Sequence, residues 1–257
     1  MRTRGRTLER ALSLLSPLFI LGSWEAAAAV GAIDTRFFPP PSEIFRDLWQ
    51  LLLSGELEGH LAASLQRIAI GFLLGAVPGV VIGLAMGLNP LIRAFVQPLV
   101  DGTFPIPKVA LLPLFIMTLG FGEASKYAII AVAVVYVVLI NTLAGVRNID
   151  RIYFDVGRNY QASALMRFTD IALPGALPTI VAGLRLGMGI AMLVIVAAEF
   201  VGARSGIGYL IWTSWQTFQV SHMYVGIMVT AILGFAMAWL LDALDRLLIP
   251  WRPQVAH

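Results

Sequence analysis

The chain has 257 residues, of which 58% are hydrophobic and only 13% charged, and its formal net charge is +3. A soluble domain carries about twice that share of charge, and 15 acids with 18 bases cannot cover the surface of a chain whose mean hydropathy is +0.83. An ordinary soluble enzyme, a disordered chain and a collagenous one are excluded, which leaves a helical membrane protein.

The first predicted element runs from Ala11 to Ile33. It follows Arg2, Arg4, Arg6 and Arg10 and is interrupted by Glu25. It reads as a first membrane span. Basic residues, an apolar stretch and Ala27-Ala28-Ala29 also fit a secretory signal with its cleavage site. Both readings put the next segment outside. That segment opens Phe37-Phe38-Pro39-Pro40-Pro41-Ser42. The proline run with Ser42 as N-cap predicts a helix start. Ile44, Phe45, Leu48, Leu51 and Leu52 then share one helical face, so a short amphipathic helix on the outer surface is expected, its last turn alternatively a plain connector.

Three charge-free runs of roughly twenty residues follow, each long enough to cross a bilayer: Ile68–Leu88, Tyr127–Val146 and Met223–Leu241. Two weaker segments lie among them. Phe95–Phe121 contains Asp101, Lys108 and four prolines, and Ile180–Ala198 contains Arg185. Six spans are expected in all. Gly71, Gly75, Gly79, Gly83 and Gly87 stand at four-residue steps and predict a packing seam against a neighbouring helix of the same chain. Gly187-Met188-Gly189 reads the same way. Trp212, Trp215, Trp239 and Trp251 suit interfacial belts. Asp101 and Glu25 read as helix-end or interhelix partners. The division by sequence is 1–35 for the first helix, 36–60 for the external segment, and 61–252 for the core, with its longest inner loop at 147–178.

Charge sets the expected orientation. Arg93, Arg147, Arg151, Arg158, Arg167, Arg246 and Arg252 fall on the same side as the N-terminal arginines. Arg36, Arg46, Lys126 and Arg204 fall on the other, with Asp34, Glu43, Asp47, Glu56, Glu58 and Glu123. Lys and Arg collect in cytoplasmic loops, so both termini are expected inside.

Several chemistries have no residues to carry them. The chain lacks cysteine, which removes disulfides and thiolate chemistry. His60, His222 and His257 are far apart and make no metal motif. The two lysines, Lys108 and Lys126, do not follow a glycine, so there is no phosphate loop. Gly-x-Ser-x-Gly and His-Glu-x-x-His are absent, and no internal repeat of the kind found in many secondary carriers is visible.

The loop at 147–178 holds Arg147, Arg151, Arg158 and Arg167. Asp155 is a candidate cap for a short helix. Leu165, Met166 and Phe168 leave an apolar surface on a segment that should be wet, and such a patch calls for a protein partner. Pro174 and Pro178 are expected to stop and restart the chain. The loop resembles the coupling loop of ABC importer permeases, whose pattern is E-A-A-x3-G-x9-I-x-L-P. Asp155 stands in the Glu position, Val156 and Gly157 in the two Ala positions, and Gln161 in the Gly position, while Ile171, Leu173 and Pro174 match. Further motifs resemble the nitrate, sulfonate, taurine and bicarbonate permeases. They are Pro105-Ile106-Pro107-Lys108 with Phe121-Gly122-Glu123, Asn141 to Arg147, Leu173 to Pro178, Gly183-Leu184-Arg185, Val196 to Glu199, and Gly206 to Ile211. The likeness runs from about residue 37 to 252.

The resemblance implies an all-α polytopic fold, the type I, methionine-permease-like transmembrane domain with about six helices and a cytoplasmic coupling helix at about Tyr153–Arg167. It implies a bacterial inner-membrane importer subunit without catalytic residues of its own. Its partners would be a second permease copy, two ATPase subunits that bind the ATP and magnesium, and a periplasmic binding protein. Asp155, Gly157, Gln161, Ala162, Leu165, Arg167, Leu173 and Pro174 would meet the ATPase. The resemblance puts Arg185 at the inner end of the fifth span, as a loop anchor or gate, and Glu199 at its outer end, as a dimer or gate contact. The two are 14 residues apart, about 21 Å along a helix, and cannot pair. Lys108 follows two prolines where the helix should break and free backbone donors. It reads either as part of an anion path or as a paired, snorkelling lysine. The carried solute is expected to be a small anion such as a sulfonate (taurine among them), nitrate or bicarbonate. His60–Leu65 and Leu248–Trp251 lie nearest the taurine branch. A self-contained carrier or channel, a structural subunit and a membrane enzyme are the alternatives. The first lacks a repeat and an ion relay, and the last lacks a cluster of polar residues.

Overall fold

The computed structural model describes residues 2–250, with side chains from residue 15 onward; Trp251, Arg252, His257 and the side chains of Arg2, Arg4, Arg6 and Arg10 lie outside the described residues. Among the described residues there are helices and no strands. In chain order they are α1 (Arg2–Ala29), α2 (Pro41–Leu53), α3 (Glu56–Leu88), α4 (Pro90–Thr103), α5 (Leu112–Leu119), α6 (Glu123–Arg147), α7 (Arg151–Asn159), α8 (Ala164–Arg167), α9 (Leu173–Phe200), α10 (Ile207–Gln216) and α11 (Val220–Leu248). A 3-10 turn, Lys108–Leu111, leads into α5, and a π turn, Phe168–Ala172, joins α8 to α9.

Four helical stretches are each long and apolar enough to cross a membrane: α3, α6, Ala164–Phe200 and α11. α4 and Lys108–Leu119 pass the same test only as a pair, bent by 88°, which makes them a broken span or a re-entrant loop. The bend lies at Phe104–Pro107, where Pro105 and Pro107 remove two amide donors and fix φ. α1 occupies the place of the expected first span but is not among the four. Its first ten residues carry four arginines and Glu9, and Glu25 interrupts its apolar part. Pro174 and Pro178 do not break the chain as expected. Pro174 follows directly on the π turn, where the Leu173 amide reaches back to the Phe168 carbonyl and the helix runs on; Pro178 is carried inside the helix.

The glycine steps on α3 form the seam that the spacing predicts, and its partner is α6. A Cβ at Gly71 would lie 2.6 Å from Ile130 Cβ, one at Gly75 2.5 Å from the Ala131 carbonyl oxygen, and one at Gly83 2.6 Å from Thr142 Cβ. The two backbones are in near contact along five turns. α6 meets α9 in the same manner, Gly183 against Asn141 and Gly145 against Thr179. Of the Gly187-Met188-Gly189 pair only Gly187 packs, against Val138, Val134 and Phe72; Gly189 faces open space. Ile68, Phe72, Ile130, Val134, Val138, Ala191, Ile195 and Val225 form the centre of the core among α3, α6, α9 and α11.

α2 is the expected amphipathic helix, with Ile44 and Leu51 buried. Ser42 is not its N-cap. The helix begins two residues earlier, with Pro41 in its first turn behind the N-cap Pro40, and Ser42 instead gives its amide (3.0 Å) and hydroxyl (2.7 Å) to Glu25 of α1. Glu25 is thus an interhelix partner. Asp101 stays on its own helix, accepting from Gln97 at 2.8 Å.

Candidate functional site

One face of α3 carries His60, Ser64 and Arg67 just before the glycine seam begins at Gly71, a spacing of four, three and four that keeps all of them on one stripe. Arg67 is 3% exposed and Glu199, at the end of α9, is 1% exposed. The Arg67 guanidinium uses all five of its N–H donors. Nε and Nη2 fork onto Glu123 at 2.5 and 2.7 Å. Nη1 donates to Glu199 at 2.8 Å and to the Ser205 carbonyl at 2.6 Å, and Nη2 also reaches Ser205 Oγ at 3.2 Å. Lys126 Nζ lies 3.6 Å from Glu123, so two acids face two bases in one closed cluster.

The same stripe caps α10. The Gly206 amide donates to His60 Nδ1 at 3.1 Å, the Ile207 amide to Ser64 Oγ at 2.8 Å, and the Gly208 amide to Glu199 at 2.8 Å. Three of the four amides that a helix start leaves unpaired are therefore met by side chains from α3 and α9. The carboxylate also faces the positive end of the α10 dipole. Gly206 has φ of +118° and Gly208 would bring a Cβ within 2.6 Å of the Val196 carbonyl oxygen, so this approach requires glycine at both positions. Glu199 is buried inside its own chain. Its oxygens are taken by Arg67, Ser64 and Gly208, so its carboxylate is not a surface contact for a second copy.

Lys108 stands at the 88° bend. Its ammonium donates to the carbonyls of Thr103 (2.9 Å), Phe104 (2.8 Å) and Ile106 (2.9 Å) and lies 4.2 Å from the centre of the Tyr136 ring. The break frees carbonyls at the end of α4, and all three ammonium protons satisfy them. Of the two expected readings the paired lysine is the one whose geometry is present. Arg185 pairs with Asp242 and, at 4.0 Å, with Asp245 of α11. It ties α9 to α11 rather than to the loop. Beside it a groove of about 410 Å³ runs between the two helices past Gly189, Met192 and Gly234.

The loop at the arginine-rich end folds into two short helices rather than one from Tyr153 to Arg167. Asp155 caps neither; it lies inside α7, 3.6 Å from Arg158. Asp150 caps α7, accepting from the Ile152 amide at 3.0 Å. α7 ends in a Schellman motif. The Ala162 amide returns to the Gly157 carbonyl at 2.8 Å and the Gln161 amide to the Arg158 carbonyl at 2.9 Å, which holds Gln161 at φ of +55°. This is the position at which the family pattern has glycine. Ser163 then caps α8. Buried Gly157 lets Ile171 come within 3.0 Å of where a Cβ would be, with the Arg167 stem beside it, so the two halves of the motif pack on each other. Leu173 and Pro174 begin α9. Phe168 is not on the loop surface; it packs with Val146, Ala176 and Ile180. Ile152, Tyr153, Val156, Tyr160, Leu165 and Met166 are exposed, Tyr160 to 84% and Leu165 to 70%, an apolar face without a partner among the described residues.

Sequence reasoning did not single out Arg67, Ser64 or Ser205, and it counted Glu123 as an outer acid and as part of a family motif, without a partner. The legible signal was the stripe: the glycine steps, read four residues further back, run into Arg67, Ser64 and His60.

A family model described as binding-protein-dependent transport system inner membrane component matches residues 79–250. The chain is 37% identical, over 93% of its length and 87% of the relative, to a putative aliphatic sulfonates transport permease protein of Bacillus subtilis (strain 168). It is 33% identical, over 95% and 90%, to the taurine transport system permease protein of Escherichia coli (strain K12). It is 27% identical, over 96% and 90%, to a nitrate import permease protein of Leptolyngbya laminosa. Among solved structures it is similar to the methionine ABC transporter in an inward-facing conformation, with a TM-score of 0.62 and 17% identity, covering 77% of this chain and 97% of that one.

Proposed function

The chain belongs to the binding-protein-dependent inner-membrane components, as an ABC importer permease of the sulfonate, taurine and nitrate group, and from that premise we propose that two copies form the translocation path for a small organic sulfonate. A periplasmic binding protein would deliver the solute at the end that carries α2, α10 and the Arg67 cluster. Two separate ATPase subunits would dock at α7 and α8, on the cytoplasmic side with both termini, and would hold the ATP and magnesium. The reading of the solute rests on what the relatives are named for.

The observation that carries the mechanical part is the bare apolar face of Ile152, Tyr153, Val156, Tyr160, Leu165 and Met166. It sits on a segment whose halves are packed together at Gly157 and Ile171 and which continues without a gap into the spanning helix α9. A displacement of α7 and α8 is therefore transmitted to α9 as a rigid shift. Asp155, Gly157, Gln161, Ala162, Arg167, Leu173 and Pro174 shape that transmission, and Leu165 supplies contact. Moving a two-state gate from 1:99 to 99:1 takes about 5.5 kcal/mol of differential binding, and in this reading it all passes through this segment. Arg185, through Asp242 and Asp245, would hold α9 to α11 as the gate moves, while Glu199 and Lys108 would keep the outer end and the bend in shape.

The test is purification of the tagged chain from its native membrane, with partners identified and ATP hydrolysis measured. Two ATPase subunits per two permeases, stimulated by a binding protein loaded with an alkanesulfonate, are expected. A chain that leaves the membrane without an ATPase would sink the importer assembly. Stimulation by a nitrate-loaded binding protein alone would move the solute and leave the assembly standing.

A further inference from the structure

Between the first turns of α4 and the last turns of α6 lies a groove of about 510 Å³. Ala94, Ile140, Leu143 and Ala144 line it, and Arg93 and Arg147 stand at it as well. Among the described residues the ion pairs engage Arg36, Arg46, Arg67, Lys126, Arg158 and Arg185; Arg93 and Arg147 are not among them. The neighbouring face of α4 is bare and apolar, with Leu91 78% and Phe95 76% exposed. α6 is long and apolar enough to cross the membrane, and α4 is the first arm of the bent apolar pair. Arg93 is in the first turn of one and Arg147 ends the other, so both cations sit at one membrane boundary, where phosphate headgroups are.

The groove thus has an apolar floor directed into the bilayer and two cations at headgroup level that pair with no acid among the described residues. A second copy meeting this face with its own would set four guanidinium groups together, taken out of water with nothing to neutralise them. An anionic amphiphile satisfies both halves at once, and basic pockets between spanning helices are where such headgroups bind. We propose that this groove binds an anionic phospholipid, its phosphate held between Arg93 and Arg147 and one acyl chain laid over Ala94 and Leu143. The inference rests on α4 and α6 lying in the bilayer, and not on the solute carried or the ATPase that drives it.

The test is native mass spectrometry of the purified transporter, titrated with dioleoyl phosphatidylglycerol and with the matching phosphatidylcholine. Wild type should retain the anionic lipid in preference. The double variant Arg93→Gln/Arg147→Gln should lose roughly 25-fold in affinity for it, about five-fold for each charge, with phosphatidylcholine unaffected. Both residues lie outside the ion pairs, so melting temperature should not change. Ala144→Trp, which fills the floor and keeps both charges, should weaken both lipids. Equal retention of the two lipids by wild type, or an undiminished preference in the double variant, overturns the proposal. Displacement of the lipid by millimolar inorganic phosphate overturns it in favour of a soluble-anion site. Loss of the second copy in the double variant overturns it in favour of a protein interface.

Discussion

Arg67 and Glu199 show what a single buried charge demands. Each is nearly sealed from solvent, and each has its hydrogen-bonding capacity filled by groups on other helices or their caps. Such a pair adds little to stability as a whole, but removing one partner strands the other. Arg67→Met should therefore cost about 3–5 kcal/mol, read as a fall in melting temperature in detergent. Adding Glu199→Gln should recover part of that loss rather than add to it; additive costs would show that the two side chains are not coupled. Two residues carry backbone strain. Gln161 (φ of +55°) and Phe218 (φ of +57°) each occupy the left-handed position of a Schellman motif, where a side chain costs about 1–2 kcal/mol over glycine. Gln161→Gly and Phe218→Gly should each raise stability by about 1 kcal/mol. An unchanged or lower melting temperature in both would show that these turns are not strained.

At the scale of elements, the sequence was most legible where a pattern had only to name its own face. The glycine steps on α3 and the apolar positions of α2 do this without knowledge of a partner. Arg67 was not legible because its partners lie 56, 132 and 138 residues away, and because it falls just before the charge-free run that marks the span. The split of the loop into α7 and α8 was hidden as well. A glutamine in a glycine's conformation gives no local sign of a helix end, and an Asp inside the motif drew the cap away from Asp150. The continuity of α9 through Pro174 and Pro178 depends on a π turn that composition does not encode. The seam itself has a sharp consequence. Gly75→Ala places a methyl 2.5 Å from the Ala131 carbonyl oxygen and should cost about 1–3 kcal/mol by overpacking. Gly102→Ala on α4, where a Cβ meets nothing within 4 Å, should be neutral or gain about 0.5–1 kcal/mol. Equal melting temperatures for the two variants would mean that α3 and α6 are not in backbone contact.

Across the whole molecule, α3, α6 and α9 form one tight slab, while α11 meets α9 over a groove and through the Arg185 ion pairs. In the proposed importer, tilting is expected at that second joint, driven from α7 and α8. Met166→Asp leaves the fold alone, since the side chain is 53% exposed. In an interface with an ATPase it should cost about 2 kcal/mol or more, seen as loss of the ATPase on purification while permease yield is kept. Full retention of the ATPase would move the contact elsewhere on the loop. The filled guanidinium of Arg67 has one more consequence, for throughput. A cation with donors to spare at the mouth of a conduit would be a trap, holding each passing anion for as long as the bond lasts. Arg67 has spent every donor on its own chain, so in the proposed importer it would shape the outer end and stay indifferent to what goes through.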